Sequence, residues 1–431
     1  MPARSQEAVT HLPALDPAGA AHKKAVEAYL VGRIEAEPYG YISFEEWMSL
    51  ALYAPGLGYY AAGSEKLGPD AMRGDFTTAP ELTPLFGRTL ARQVAQILQA
   101  SGSADVLEFG AGSGALAAAL IPALREMGIE PRYHILEISA DLRERQRQRF
   151  ADIDAGVQWL DGLPSAFSGC VLANEVLDAM PVTLFRWADD GTVLELGVSL
   201  GCSQSTEHDV SLRQGLTDGI QATLGHPRLD DKPVSADQAT PFRLTEKSAA
   251  PELRRLVEQR MPCMPGYQSE INRQAEAWVR QMGGWLRRGA ALIIDYGFPR
   301  REYYHPQRAN GTLMCHFRHH AHDQPLVYAG LQDITAHVDF TAMADAALEG
   351  GLEVLGYTSQ ARFLLNAGLP DVMEDARAGT EGRPGRYADL AAVQQLVSEA
   401  EMGELFKVLA IGRDLDTRLS GFSTGDRRHR L

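Results

Sequence analysis

From Asp105 onward, short apolar runs alternate with stretches of helical periodicity, and no other feature constrains the fold as strongly. Helical patterns begin near Gly114 and Ala140, directly after two of the runs. The apolar runs are VLEF (106–109), YHILEI (133–138), VQWL (157–160), CVLAN (170–174), ALIID (291–295), LEVLGY (352–357) and LFKVLAIG (405–412). Strands that alternate with helices form crossover units and a parallel sheet. We therefore predict an α/β fold around a mostly parallel sheet.

Three glycines follow the first predicted strand at once. Gly110, Gly112 and Gly114 let the backbone turn tightly and approach a ligand that a side chain would block, and the N-terminus of the next helix faces that ligand. Their spacing matches the GxGxG pattern usual for S-adenosylmethionine, while Gly110, Gly112 and Ala115 also match the dinucleotide pattern. A third interpretation is that the glycines only end a strand.

Acidic residues lie where a nucleoside ligand needs acceptors. Glu137 ends the second strand, 23 residues after Gly114, near the ~20 expected for a carboxylate that binds ribose hydroxyls. Asp161 ends the third strand and could accept a hydrogen bond from an adenine amino group, or could be an exposed turn residue. Glu108 could receive the ammonium group of the ligand or organise the glycine loop, and otherwise is a strand-end carboxylate bonded to backbone.

The net charge and the cysteines of the chain indicate which partners to exclude and which compartment to expect. The chain has 431 residues and a net charge of −15, so it has no general attraction to nucleic acid or anionic lipid. The cysteines are scattered and fit a reducing compartment: Cys170, Cys202, Cys263 and Cys315. We see no membrane-spanning run, signal peptide or transit pattern. We therefore expect a cytoplasmic protein with no membrane span and no nucleic-acid partner.

Four further stretches occur in a recognisable order: GDFTTAPELTPLFG (74–87), LANEVLDAMPV (172–182), IIDYGF (293–298), and the segment 311–340. Together with the glycine loop they resemble the MidA family of S-adenosylmethionine-dependent methyltransferases. Mitochondrial members of that family methylate an arginine of an NADH dehydrogenase subunit during assembly. The resemblance implies a class I methyltransferase fold, Rossmann-like, with a seven-stranded sheet whose last strand is antiparallel. It also implies S-adenosylmethionine as the cofactor.

The resemblance assigns roles to individual residues. It places the cofactor on the glycine loop, with Glu137 at the ribose. A further loop would cover the cofactor, and it comprises Gly74, Asp75, Thr78, Pro80 and Glu81. Ala79 stands where the family more often has a serine, so the hydroxyl contact that a serine could make at that position is absent here.

The segmentation that we predict has four parts. An N-terminal helical region with the covering loop (1–100) precedes the first half of the methyltransferase core (101–181). An inserted substrate subdomain (182–288) separates it from the second half (289–431). The predicted helices are Lys23–Ile34, Ser43–Leu52, Pro84–Ala100, Ile271–Arg288 and Phe340–Glu349, and Ala376–Tyr387 is predicted as an exposed loop.

The chemistry of the acceptor is predicted from the end of the fourth strand. An arginine guanidinium is cationic at neutral pH, so carboxylates must bind it, orient one nitrogen and accept a proton. Asn174 and Glu175 end that strand, and Asp178 follows about one helical turn later. We assign these residues to the acceptor site; alternatively, Glu175 and Asp178 stabilise the start of a following helix. Asp295, at the end of the fifth strand, either orients the acceptor or is structural.

Four histidines lie close together in the sequence, but their spacing does not indicate a metal-binding site. His316, His319, His320 and His322 fit no common zinc pattern, and methyl transfer requires no metal. We place His319 and His337 at the substrate cleft instead, with surface histidines as the alternative. Tyr59 and Tyr60 either face the cleft or pack against the core, and we predict packing.

The leading hypothesis is a protein arginine methyltransferase. It would act on a protein with an exposed arginine, such as a subunit of a respiratory NADH dehydrogenase. One alternative is a nicotinamide-dependent oxidoreductase that uses the same glycine loop. Another is an assembly chaperone that keeps the cofactor fold but works by binding its client.

Overall fold

A computed structural model describes residues 12–63, 78–151, 156–201, 240–378 and 386–431. The chain divides into two compact units. The first comprises Met1–Asp75, Thr183–Glu270 and Leu313–Ile334, and the second comprises Phe76–Val182, Ile271–Thr312 and Thr335–Leu431. These divisions differ from the four predicted segments, since part of 1–100 and the end of 182–288 belong to the second unit.

The elements are numbered along the chain, over the described residues. The helices are α1 (Pro17–Ala36), α2 (Phe44–Tyr53), α3 (Ala79–Leu82), α4 (Pro84–Ser101), α5 (Ala115–Glu126), α6 (Ala140–Phe150), α7 (Pro251–Arg260), α8 (Arg273–Trp285), α9 (Arg300–Tyr303), α10 (Phe340–Glu349), α11 (Gln360–Asn366), α12 (Leu369–Ala378), α13 (Arg386–Val397) and α14 (Met402–Leu405). The strands are β1 (Tyr41–Ser43), β2 (Asp105–Phe109), β3 (Arg132–Leu136), β4 (Gln158–Leu160), β5 (Phe167–Asn174), β6 (Thr183–Trp187), β7 (Val193–Leu200), β8 (Phe242–Ser248), β9 (Gln268–Ile271), β10 (Leu286–Phe298), β11 (Met314–Phe317), β12 (His320–His322), β13 (Asp333–Thr335), β14 (Val338–Asp339), β15 (Glu353–Ser359) and β16 (Phe406–Arg413). Two 3₁₀ turns, Ser420–Phe422 and Arg428–Arg430, follow β16.

The first unit contains a five-stranded sheet and a small three-stranded one. In the larger sheet, β7 pairs antiparallel with β1, β6 and β8, and β9 pairs with β6. The smaller sheet has the order β12-β11-β13. Ser43 caps α2 by accepting a hydrogen bond from the Glu46 backbone N–H, as the sequence Ser-Phe-Glu-Glu predicts. Tyr60 packs on Tyr53 and donates to Asp333.

The second unit contains the predicted α/β core. Seven strands follow the order β15-β16-β10-β5-β2-β3-β4, and β14 adds a short parallel pairing to β10. Pairings from β10 to β4 are parallel, whereas β16 is antiparallel to both of its neighbours. The class I methyltransferase fold, with its antiparallel last strand, is confirmed.

The sheet of the second unit carries a hydrophobic core on each face because successive side chains of a strand alternate. Val106 packs on one face with α4 and α5, whereas Leu107 packs on the other face with α8 and α10. The central strands are apolar on both sides, as in buried parallel sheets. They form a rigid platform whose carboxyl ends present the glycine loop and the residues after β5.

Two glycines set the spacing of the central strands. A Cβ atom at Gly169 would lie 2.1 Å from the Asp105 carbonyl oxygen, and one at Gly289 would lie 1.9 Å from the Gly169 carbonyl oxygen. Both have positive φ angles, 139° and 135°, which favour glycine. β5 and β10 therefore pair in a register that brings Asn174 beside Ile294.

Some predicted elements have different bounds. The helix predicted over Ile271–Arg288 ends at Trp285, where β10 begins and runs for 13 residues. The ends of the predicted loop Ala376–Tyr387 are helical, in α12 and α13, because the Ala and Arg residues there have high helix propensity. Its centre, 379–385, lies outside the described residues. In the described part of the chain, no helix has both the length and the apolar character that a bilayer span requires.

Candidate active site

The glycine loop joins β2 to α5 in a conformation that requires glycine. Gly110, Gly112 and Gly114 have φ angles of 58°, 54° and 80°. The Gly110 N–H donates to the Leu136 carbonyl at 3.0 Å, which ties the loop to the end of β3. A Cβ atom at Gly112 would meet no atom of the described residues within 4 Å, so these residues leave open space beside it. A ligand can therefore approach the backbone there.

Glu137 lies against this loop and is buried. Its carboxylate accepts hydrogen bonds from the Ser139 N–H at 3.0 Å and from the Gln146 amide at 3.4 Å. Burial raises the pKa of Glu137, while hydrogen bonds from Ser139, Gln146 and the Gly112 backbone act in the opposite direction. The carboxylate is thus held at the loop, as a ribose-binding role requires.

Glu108 lies beneath the loop rather than in it. It is buried on β2, and one carboxylate oxygen accepts from the Tyr133 hydroxyl at 2.7 Å. Burial raises its pKa to about 7, a Tyr133 hydrogen bond opposes that shift, and the charge of Glu137 adds to it. The hydrogen-bonding partner of Glu108 is a core tyrosine, and both its ammonium-binding and its loop-organising role stay predictions.

Asp161 follows β4 with an exposed side chain. It pairs with Arg143 at 2.7 Å. The same guanidinium donates to the Glu137 and Leu160 carbonyl oxygens, at 2.6 and 3.0 Å, and so links the ends of β3 and β4. An adenine contact for Asp161 stays a prediction. Its ion pair with Arg143 gives Asp161 a structural role at the end of β4.

Part of the predicted covering loop contacts the glycine loop. Thr78 precedes the short helix α3, whose first residues are Ala79, Pro80 and Glu81. The Glu81 carboxylate accepts from the Ser113 hydroxyl and from Arg149. Ala79 is buried, and its N–H donates to Glu175 at 3.4 Å. Gly74 and Asp75 lie outside the described residues, so their roles stay predictions.

Asn174 and Glu175 close β5 at the carboxyl edge of the sheet. Glu175 has a positive φ of 53°, a strained conformation for a non-glycine residue. Its carboxylate accepts from the Asn174 side-chain amide at 3.1 Å. The amide oxygen of Asn174 is buried and has no hydrogen-bond partner among the described residues. The Asn174 amide oxygen and the Glu175 carboxylate therefore lie side by side. The amide oxygen can still accept a hydrogen bond from a ligand.

No helix follows Glu175. Residues 175–182 form turns that lead into β6, so the spacing of one helical turn that we predicted for Asp178 is wrong, as is the helix-capping alternative. The two aspartates instead meet through tertiary contacts: Asp295 accepts from the backbone N–H groups of Leu177 and Asp178 at 3.0 and 3.3 Å. Asp295 also accepts from the Tyr296 N–H at 2.9 Å. It thus positions the loop that carries Asp178.

Asp178 is held by Tyr296. The Tyr296 hydroxyl donates to the Asp178 carboxylate at 2.6 Å, and the Tyr296 ring packs between His337 and Phe406. Burial raises the pKa of Asp178 to about 6, and the hydrogen bond from Tyr296 opposes the shift. Burial raises the pKa of Asp295 as well, with further contributions from the charges of Asp178 and Glu175.

The structure therefore gathers Asn174, Glu175, Asp178 and Asp295 at one edge of the second unit. Three of them are carboxyl groups close enough to affect one another's ionisation. Like charges in a buried site are unfavourable unless a proton or a cation compensates them. The arrangement can thus bind a cationic group and accept a proton from it.

The histidines are divided between the units. His316, His320 and His322 lie on the β11–β12 hairpin, and His319 occupies its turn with a φ of 65°. His337 lies in the second unit, where burial, then the charges of Arg308 and Lys407, lower its pKa to about 3. No cluster of three metal-binding side chains occurs in the part of the chain that the structure describes. A cleft role for His319 stays a prediction.

Sequence reasoning missed several residues of this site. Gln146 and Arg143 lie on α6, whose sequence ADLRERQRQRF has the polar character of a solvated helix, so nothing local marks them. Exposed Ile138, next to Glu137, offers an apolar surface at the carboxyl edge.

The residues present fit a nucleoside cofactor. Among the described residues, Gly112 leaves the space that a ligand needs, and Glu137 supplies buried acceptor oxygens at the same loop. When bound, S-adenosylmethionine supplies a methyl group carried on a sulfonium. This fold with this loop defines the class I methyltransferases that use S-adenosylmethionine.

The comparisons with known proteins agree. The chain belongs to the family described as "Putative S-adenosyl-L-methionine-dependent methyltransferase", whose profile matches residues 89–358, so the resemblance to the MidA family is confirmed. It is similar to a "likely methyl transferase" from Burkholderia thailandensis, crystallised with S-adenosyl-homocysteine. That structure is 44% identical, with a TM-score of 0.82, and the match covers 98% of this chain and 100% of the other. S-adenosylmethionine is therefore the cofactor, rather than a dinucleotide.

Curated relatives are more distant. The "Protein arginine methyltransferase NDUFAF7, mitochondrial" of Mus musculus is 26% identical over 86% of this chain and 81% of its own length. The protein of the same name from Danio rerio is 27% identical over 90% of this chain and 87% of its own length.

Proposed function

We propose that this methyltransferase transfers the methyl group to an arginine side chain of a protein. The observation that carries the proposal is the group of three carboxyl side chains, Glu175, Asp178 and Asp295, at the carboxyl ends of β5 and β10. They lie in the same compact unit as the glycine loop. A guanidinium is the side-chain cation that several fixed carboxyl groups bind best, because it offers five N–H donors in a planar fork.

The hydrogen bonds of each side chain indicate a different role for each residue of this group. Asp295 is occupied by three backbone N–H groups and acts as the support of the loop. Asp178 has one oxygen bound by Tyr296 and the other by the Ala179 N–H. Glu175 lies beside the amide oxygen of Asn174, which has no hydrogen-bond partner in the described part of the chain. We assign guanidinium binding to Glu175 and Asn174. Asp178 would add negative charge that stabilises the bound cation without contacting it directly.

The proton balance also needs a carboxylate. Methylation of a guanidinium nitrogen releases one proton, since both the substrate and the product are monocations near neutral pH. Glu175 is the group that we propose to accept it, because its backbone strain is retained at the carboxyl edge where the acceptor would bind.

The curated relatives named above as arginine methyltransferases support the proposal through their similarity over most of the chain. The family resemblance favours a subunit of a respiratory NADH dehydrogenase, or a similar assembly partner, as the client. We also propose the cytoplasm as the compartment, in keeping with Cys170, Cys263 and Cys315, which form no disulfide among the described residues.

The test is transfer of a labelled methyl group from S-adenosylmethionine to proteins of a cell extract by the purified chain. We expect label on an arginine of one or a few proteins. Glu175→Gln keeps the hydrogen-bonding shape but loses the charge, so transfer should fall by about 100-fold or more while S-adenosyl-homocysteine still binds. Glu353→Gln, an exposed glutamate at the start of β15, is the matched control and should transfer normally.

Three outcomes would contradict the proposal. Label on lysine or on a small molecule would show another acceptor. Unchanged transfer by Glu175→Gln would remove the proposed role of that carboxylate. Client maturation that persists without any methyl transfer would favour the chaperone alternative.

A further inference from the structure

Gln146 is a fully buried polar side chain on α6, and none of the cofactor motifs includes it. Its amide contacts three separate parts of the second unit. The amide nitrogen donates to the Gly112 carbonyl at 2.8 Å and to the Glu137 carboxylate at 3.4 Å. The amide oxygen accepts from the Trp159 indole N–H at 2.8 Å. A single side chain thus links the glycine loop, the end of β3 and β4.

The chemistry of the three partners fixes the orientation of this amide. An indole N–H can only donate, so it selects the amide oxygen of Gln146. The two amide hydrogens must then point the other way, where a carbonyl and a carboxylate both accept. Every partner is matched, and a flipped amide would place its oxygen against two acceptors.

Gln146 ties the glycine loop to Glu137. The Gly112 carbonyl and the Glu137 carboxylate both accept hydrogen bonds from the same Gln146 amide nitrogen. α6 also packs directly on the loop: a Cβ atom at Gly114 would lie 2.8 Å from Phe150 and 3.4 Å from the Gln146 side chain. A shift of the loop alone or of the carboxylate alone would therefore break a hydrogen bond to Gln146.

We propose that Gln146 is the positioning residue of the cofactor site, which holds the glycine loop, Glu137 and Trp159 in one arrangement before the cofactor binds. The proposal rests on the placement of the cofactor at the glycine loop and is independent of the arginine acceptor. Preorganised groups bind a ligand more tightly because less ordering remains to be done on binding. Loss of Gln146 should thus weaken cofactor binding and leave turnover at saturating cofactor nearly unchanged.

The primary experiment compares Gln146→Leu with Gln93→Leu. Gln93 is equally buried in the same unit, and its amide is also hydrogen-bonded, to Gln96, Ser420 and Gly421. We expect the Kd of S-adenosyl-homocysteine, measured by calorimetry, and the KM for S-adenosylmethionine to rise about 10-fold to 100-fold in Gln146→Leu, the range found when a group that orients a metal ligand is removed. Gln93→Leu should lose comparable stability but keep the Kd.

A second variant keeps the proposal testable if Gln146→Leu fails to fold. Trp159→Phe keeps an aromatic ring but removes the N–H that orients the amide, so cofactor binding should weaken by a smaller factor. Native affinity in a folded Gln146→Leu protein, or in Trp159→Phe when the first variant does not fold, would overturn the proposal. So would an equal loss of affinity in Gln93→Leu. Unchanged affinity in Gly112→Val would instead show that the cofactor binds elsewhere, whereas loss of arginine transfer alone bears only on the proposed function.

Discussion

Replacing Tyr296 with phenylalanine should move the pH dependence of methyl transfer. The Tyr296 hydroxyl donates a 2.6 Å hydrogen bond to Asp178, whose pKa burial raises to about 6. The acceptor cation needs the ionised form of the carboxyl cluster, so kcat/KM should fall as the pH drops below about 6. Asp295 and Glu175 face the same cluster, and His337 packs on the Tyr296 ring.

The size of the shift follows from the lost hydrogen bond. A hydrogen bond to a charged group contributes about 1.5–3 kcal/mol. At about 1.4 kcal/mol per pKa unit, its removal should raise the pKa of Asp178 by about 1–2 units. The sign is fixed because the hydroxyl stabilises only the ionised carboxylate. The acid limb of the Tyr296→Phe profile should therefore lie near pH 7–8, with the alkaline side unchanged.

The assay is kcat/KM for an arginine peptide between pH 5 and 9 at saturating S-adenosylmethionine. Tyr357→Phe is the matched control, because Tyr357 is buried in the same unit and its hydroxyl has no partner among the described residues. The acid limb of the Tyr357→Phe profile should stay near pH 6. If the acid limb of Tyr296→Phe also stays there, or if that of Tyr357→Phe moves by the same amount, the assignment of Asp178 to the acceptor site is refuted.

Two further predictions concern the glycine loop and the strained glutamate. Gly112→Val should abolish the binding of S-adenosyl-homocysteine measured by calorimetry, since the valine side chain would fill the open space beside the loop. Gly128→Val is the control and should keep binding, because Gly128 also has a positive φ angle and open space beside it among the described residues. Glu175→Gly should lose transfer and yet raise the free energy of unfolding by about 1–3 kcal/mol, because the φ of 53° costs glycine little. A lower thermal midpoint in Glu175→Gly would mean that the contacts of its side chain outweigh the strain.

The core of the fold follows from the sequence because its signals are local. The strand, the three glycines and the helix are contiguous, and Glu137 follows at a spacing that the crossover connection fixes. The full length of β10 was not predictable. Its first residues, Leu286–Ala290, mix apolar and basic side chains in a way that also fits the end of a helix.

The acceptor site depends on contacts that no local pattern encodes. Asp178 and Tyr296 are 118 positions apart, and they meet only because β5 and β10 are neighbours in the sheet. The role of Asp295 as a support of the loop depends on two backbone N–H groups 117 and 118 positions away. Gln146 belongs to a strongly polar helix, so its burial is a consequence of packing against the glycine loop.

The most direct test is a crystal structure of this protein with S-adenosyl-homocysteine bound. We expect a ribose hydroxyl within about 2.5–3.0 Å of the Glu137 carboxylate and the sulfur facing the edge where Asn174 and Glu175 end β5. A nucleoside bound away from the glycine loop, or a sulfur directed away from those two side chains, would contradict the account.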